Sequence, residues 1–189
     1  TSWVYRLKES GLAVANCHKV PKHKFRKELL SIAEIIESLA VIISLIKEIN
    51  PTINFIFTVS PVRHIKDGFI ENQQSKAHLI SALHQIIKFH ENSFYFPSYE
   101  IMMDELRDYR FYKEDMIHPN NIAVNYIWEK LSKKWFSDET LQTTEQIEKI
   151  QKNLDHKPFN SESLLHEKFI KSTEQKIKKL QEKLPHIFF

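Results

Sequence analysis

The chain has 189 residues, 42% hydrophobic and 27% charged, which fits one folded core with room for an appendage and excludes a disordered chain. A formal net charge of +3 falls short of the dense basic face that phosphate-backbone binding requires, so nucleic acid is not an expected partner. Gly11 and Gly68 are the only glycines, which excludes a Walker loop and a dinucleotide fingerprint. The single Cys17 excludes an internal disulfide and a multi-cysteine zinc site, and fits a reducing, cytoplasmic compartment.

The opening TSWVYR has no initiator Met, no basic start and no apolar signal core, and reads as cut from something longer. The basic cluster Lys19, Lys22, Lys24, Arg26 and Lys27 reads as a solvated loop, with an anionic partner as the alternative. Ser31 and Glu34 form a capping box ahead of Ile32, Ile35, Ile36, Leu39, Ile42, Ile43, Ile46 and Ile49. This spacing predicts a helix with one apolar face, ending at Asn50 and Pro51. Its longest apolar run, around Leu39 to Ile46, contains Ser44 and stops at Lys47, too short to span a bilayer. INFIFTVSPV, residues 53–62, is dense in β-branched and aromatic residues and predicts a strand buried on both faces.

After a polar turn at Asp67 and Gly68, residues 72–90 predict a second helix with Leu79, Ile80, Leu83, Ile86 and Ile87 on one face. FYFP, residues 94–97, predicts another strand, MMDELRDY a short helix or turn, and residues 119–135 a further helix. In DELRDYRFY, Tyr109, Phe111 and Tyr112 are expected to anchor the rim in the core, with Arg107 and Arg110 paired to nearby acids. Strands alternating with helices imply right-handed crossovers and a parallel sheet, with function gathered at the carboxyl ends of the strands. Those ends are Ser60 to His64 and Pro97 to Glu100, with 106–118 on the same rim. Residues 1–136 thus read as an α/β domain. From Ser137 strands vanish, and 137–189 reads as a charged helical hairpin with helices over about 138–153 and 161–183. Its sparse stripe of Ile170, Ile177, Leu180 and Leu184 suits either packing on the main domain or pairing with a second copy.

EDMIHPNN, residues 114–121, holds an aspartate three residues before a histidine at a helix start. Such an aspartate can reach the imidazole Nδ1 and fix the tautomer so that Nε2 acts as a base. The same spacing has a second reading, in which Asp115 caps a turn, His118 faces water and Pro119 takes the first helical position. Arg63 and His64 stand at a strand end where ligands bind. Pairing of Arg63 with Asp67, Glu71, Asp104, Glu105 or Asp108 is the structural alternative. The ten histidines contain no HxxxH or HExxH, so no metal site is expected. Cys17 and His18 point to opposite faces of an extended segment and do not form a nucleophile and base pair. His18 is either a structural histidine or a pocket residue.

The stretches WVYR, VANCHKVP, FTVSPVRHIKDGFIEN, SKAHL, YFPSYEIMMDELRDYRFY and DMIHPN resemble, in that order, the GSCFA domain family, an SGNH-like hydrolase group found in bacteria. The resemblance covers most of residues 1–136 and extends loosely into the tail. It implies a three-layer α/β/α, flavodoxin-like parallel sheet whose first strands lie outside this segment, with a further segment or partner chain covering the open edge. It also implies that His118 is a general base and Asp115 its orienting carboxylate. The serine of the family's GSCFA segment has no counterpart here, so the nucleophile is expected elsewhere. Asn16 is the substitute candidate for an oxyanion donor, a turn asparagine being the alternative. The implied substrate is an ester or acyl group on a small molecule or carbohydrate, handled without metal or organic cofactor. A non-catalytic binding or assembly module is the rival expectation.

Overall fold

The computed structural model describes residues 1–14, 19–159 and 163–189, which form two compact units, Thr1–Trp128 and Glu129–Phe189. The first unit opens with an antiparallel sheet that the sequence pattern does not announce. Strands β1 (Trp3–Leu7), β2 (Ala13–Val14) and β3 (Phe25–Leu29) lie in the order β2-β1-β3, with β1 and β3 paired from Trp3↔Leu29 to Leu7↔Phe25. Part of the expected basic loop is therefore strand, and two of its cations, Arg26 and Lys27, are paired with acids. Glu28 pairs with Arg6 and Arg26, while Lys27 pairs with Asp67 and lies 4.7 Å from the Trp3 ring centroid.

Helix α1 (Ile32–Ile49) starts at the capping box: Ser31 Oγ accepts the Glu34 N–H at 3.2 Å, and the Glu34 carboxylate accepts the Ser31 N–H at 2.8 Å. Its apolar residues divide between two faces. Ile36, Leu39, Ala40 and Ile43 enter the core, whereas Ile42, expected on that face, is 48% exposed and Ile49 is 88% exposed. Val41 and Leu45 share the outward face.

Strand β4 (Phe55–Phe57), helix α2 (Phe69–Phe89) and strand β5 (Ser93–Tyr95) form a β-α-β crossover, with the strands paired in parallel from Phe55↔Ser93 to Phe57↔Tyr95. At the start of α2, Gly68 has φ 112°, and an added Cβ would lie 1.9 Å from the Glu71 carboxylate. The core gathers Ile43, Val59, Leu83 and Ile86, with Phe55, Phe57, Leu79, Ile80 and Tyr95 packed against them. Only three residues of the expected 53–62 strand join a ladder, and one face is covered rather than two. Ile56 and Phe94, opposite each other in that ladder, are 45% and 40% exposed. The described residues therefore make a mixed α/β unit with two small sheets, one of them antiparallel, in place of the expected wide three-layer parallel sheet.

After β5 come α3 (Ser98–Glu100), a π-helical turn (Ile101–Glu105), a 3-10 turn (Tyr109–Phe111) and α4 (Asn121–Trp135). In the second unit, α5 (Asp138–Leu154) and α6 (Leu164–Lys183) are capped by Ser137 and Ser163. They bury Ile150, Thr173 and Leu180, and Asn153 Nδ2 donates to Thr173 Oγ1 at 3.1 Å. Among the described residues no helix is long and apolar enough to cross a membrane.

The two faces of α1 make a direct comparison. Ile43→Ala empties a fully enclosed position and should lower unfolding stability by roughly 2–5 kcal/mol, while the exposed Ile42→Ala should cost less than about 1 kcal/mol, as read from denaturant midpoints.

Candidate active site

The chain beyond β4 and the turn beyond β5 are tied together at the carboxyl ends of the strands. Ser98 Oγ donates to the Val59 carbonyl at 2.8 Å and lies 2.5 Å from Thr58 Oγ1. From this tie the chain runs to Arg63, whose N–H donates to the Ile117 carbonyl at 3.2 Å and whose Nη1 donates to the Met116 carbonyl at 3.0 Å. The Arg63 guanidinium lies 5.7 to 5.9 Å from the ring centroids of Tyr112, Phe69 and Tyr109. Among the described residues it has no carboxylate partner, so the alternative of pairing with Asp67, Glu71 or the Asp104 to Asp108 acids is not realised, and aromatic faces and a backbone carbonyl surround it instead. Tyr109 is mostly exposed and serves this cage rather than the core. Arg63 is accordingly a positioning residue for the 115–118 turn as well as part of a cleft wall.

Within that turn Asp115 makes three contacts. Its Oδ1 accepts the N–H groups of Ile117 at 2.8 Å and His118 at 3.0 Å, and its Oδ2 lies 2.7 Å from His118 Nδ1. Met116 between them has φ 56°, in the left-handed region that non-glycine residues seldom occupy. The Lys113 N–H donates to the His118 carbonyl at 2.8 Å and closes the loop. Helix α4 is capped by Asn120, not Asp115: Asn120 Oδ1 accepts the Ala123 N–H at 3.1 Å, and its Nδ2 donates to the Arg110 carbonyl at 2.7 Å. Pro119 stands before this cap rather than at the first helical position.

The hydrogen bonds from His118, backbone N–H first, and from the Ile117 N–H hold the Asp115 carboxyl at about 2. An ionised carboxylate at Nδ1 keeps the imidazole proton there, so in the neutral ring Nε2 carries the lone pair. The His118 side chain is about half exposed, which leaves the ring open to a reactant. His64 stands on the same rim, with its backbone N–H donating to Asn72 Oδ1 at 2.8 Å. Burial pushes its imidazole down from the ordinary value, and His118 is among the charges acting on it. Asn16, Cys17 and His18 lie outside the described residues.

Arg63, which holds the 115–118 turn, also walls a cleft of about 370 Å³, together with Tyr99, Met102, Leu106 and Tyr112. Lys76 also lines it, and sequence reasoning does not single that residue out. It is 1% exposed, its Nζ donates to the Ser60 carbonyl at 2.5 Å, and burial pulls its amine down to about 8. The available signal was spacing: Lys76 stands at the start of the stripe formed by Leu79, Ile80 and Leu83. A lysine in the core-facing register of a helix calls for a reason other than solubility. Among the described residues no group of three His, Cys, Asp or Glu side chains is placed to hold a metal ion.

Comparison with known proteins finds two family matches. Residues 1–131 match the GSCFA family, and residues 147–189 match the C-terminal domain of GSCFA domain proteins. No curated protein and no solved structure matches the chain.

The Asp115 turn carries a definite pH signature. A carboxyl whose folded pKa is depressed contributes stability above its unfolded value, and that contribution is lost as the pH falls through the folded one. The amide resonance of Ile117 should therefore hold steady through the ordinary carboxylate range and shift near pH 2. A midpoint near 4 would show that the turn does not form, and Asp115→Asn should remove the transition.

Proposed function

Because the chain belongs to the GSCFA family, we propose that Asp115 and His118 are the base half of a Ser-His-Asp hydrolytic apparatus of the SGNH type, acting on an ester or acyl group. The observation that carries this reading is the 2.7 Å contact between Asp115 Oδ2 and His118 Nδ1, in a turn held by Arg63 at the carboxyl end of a parallel strand pair. In this mechanism His118 Nε2 takes the proton of a serine hydroxyl as its oxygen attacks the carbonyl carbon, and the Asp115 carboxylate stabilises the imidazolium. The imidazolium then returns the proton to the departing alcohol. Water repeats the sequence on the acyl-enzyme, again with His118 as base.

The seryl nucleophile in this reading is supplied by polypeptide outside residues 1–189. Strands β4 and β5 then belong to a larger parallel sheet covered by helices on both faces. The apolar side chains of Ile56, Phe94, Val41 and Leu45 that face outward support this arrangement as surfaces suited to further packing. The substrate class is an acyl ester on a small molecule or a carbohydrate. A non-catalytic binding module is the second reading, and one observation favours it: among the described residues no hydroxyl or thiol is hydrogen-bonded to His118 Nε2.

A fluorophosphonate serine probe separates the two. The folded full-length protein should label, and His118→Ala should slow labelling by roughly 10²–10⁴-fold. Asp115→Asn, which disturbs the tautomer while keeping the side chain's shape, should slow it by up to about 10⁴-fold. A well-folded wild type that does not label would put the binding module first.

A further inference from the structure

We propose that the cleft lined by Lys76 is an anion seat that binds a small organic acid, with the acid group on Lys76 Nζ and the apolar body against Tyr99, Met102 and Leu106. The argument begins with what a buried ammonium needs. Lys76 is 1% exposed and is given one acceptor, the Ser60 carbonyl at 2.5 Å, whereas an ammonium has three donors. No carboxylate among the described residues pairs with it. Tyr99 presents its ring 5.8 Å from Nζ, a favourable but partial compensation. Burying this ammonium without a carboxylate partner among the described residues carries a cost, and the lowered pKa of its amine follows from that burial. An anion in the cleft would supply the missing partner.

The rest of the lining offers donors. Asn72 Oδ1 accepts the His64 N–H and Gln73 Oε1 the Tyr99 hydroxyl, which leaves the NH2 group of each amide as a donor. Arg63 and Arg107 add two cations. The one acid of the lining, Asp108, already accepts the Arg110 N–H at 2.8 Å and lies 3.7 Å from Arg110 Nε. A cleft of about 370 Å³ has the size of a small-molecule site, and its apolar wall favours an organic anion over a bare inorganic one.

This inference does not rest on the hydrolase reading, because it concerns binding alone and is tested by binding alone. Full-length protein is titrated by calorimetry with benzoate, with the neutral isostere benzamide and with inorganic phosphate. Saturable binding of benzoate is expected, at least roughly tenfold tighter than benzamide and tighter than phosphate. Lys76→Met, of similar length and apolar, should weaken benzoate at least roughly tenfold, while His118→Ala should bind it as wild type does. The side-chain ¹⁵N resonance of Lys76 in the unmutated protein gives a readout independent of the variant's folding, and benzoate should shift it. Absence of saturable benzoate binding, equal affinity for benzoate and benzamide, preference for phosphate, an unmoved Lys76 resonance, or unchanged affinity in folded Lys76→Met would each overturn the proposal.

Discussion

Arg63 joins two parts of the rim that are more than fifty residues apart in the chain. Its backbone N–H and its guanidinium donate to consecutive carbonyls, Ile117 and Met116, so the segment after β4 and the loop before α4 are fixed in one register. Three aromatic rings surround the guanidinium and take the place of a carboxylate. A planar, delocalised cation suits such faces better than a lysine ammonium would, because it stacks while keeping its in-plane donors for carbonyls. Remove that clamp and the geometry of the following turn loses its external reference.

The turn itself makes local structure and candidate chemistry inseparable. Asp115 spends one oxygen on two backbone N–H groups and the other on the imidazole, so the side chain that shapes residues 115–118 also orients His118. The two readings of DMIHPN, polar turn and catalytic pair, are therefore not alternatives. Met116 within the turn holds a positive φ, and the closing bonds from Arg63 and Lys113 fix the loop in that conformation. Such orientation in advance of reaction is what a general base requires.

Much of the framework was legible in the sequence where a local rule and the tertiary environment agree. The Ser31 and Glu34 capping box, the α2 stripe and the two tail helices each carry a complete signal within a few residues, while FYFP marks a strand whose ladder runs over Ser93–Tyr95. The antiparallel sheet was not legible, because β1 and β3 carry Arg6, Arg26, Lys27 and Glu28, and the Arg6 to Glu28 pair that joins the strands is invisible in one dimension. Periodicity identified α1 but could not divide its isoleucines, since a helix apolar on both sides gives no contrast between Ile42 and Ile43. Arg63 stands at the strand end that the pattern marks, and of its two readings the pairing with carboxylates is not made, because charge patterns say nothing of ring faces.

Asp115 and Lys76 show opposite ways of perturbing an ionisable group, and the contrast bears on why Lys76 is there at all. Asp115 is partly exposed, and its charged form is favoured by three hydrogen bonds, so its ionisation contributes to stability at neutral pH. Lys76 has a hydrogen bond and an aromatic face, yet desolvation outweighs them and the pKa falls to about 8 from 10.5. For a base depressed in this direction, the unfolded chain binds the proton more tightly. The penalty is present in full below about pH 8 and is relieved as the pH rises towards 10.5. A methionine in that core-facing register would avoid it. The lysine thus works against the stability of the unit at neutral pH, and its place in the wall of the cleft that Arg63 also lines accords with a role in holding an anion.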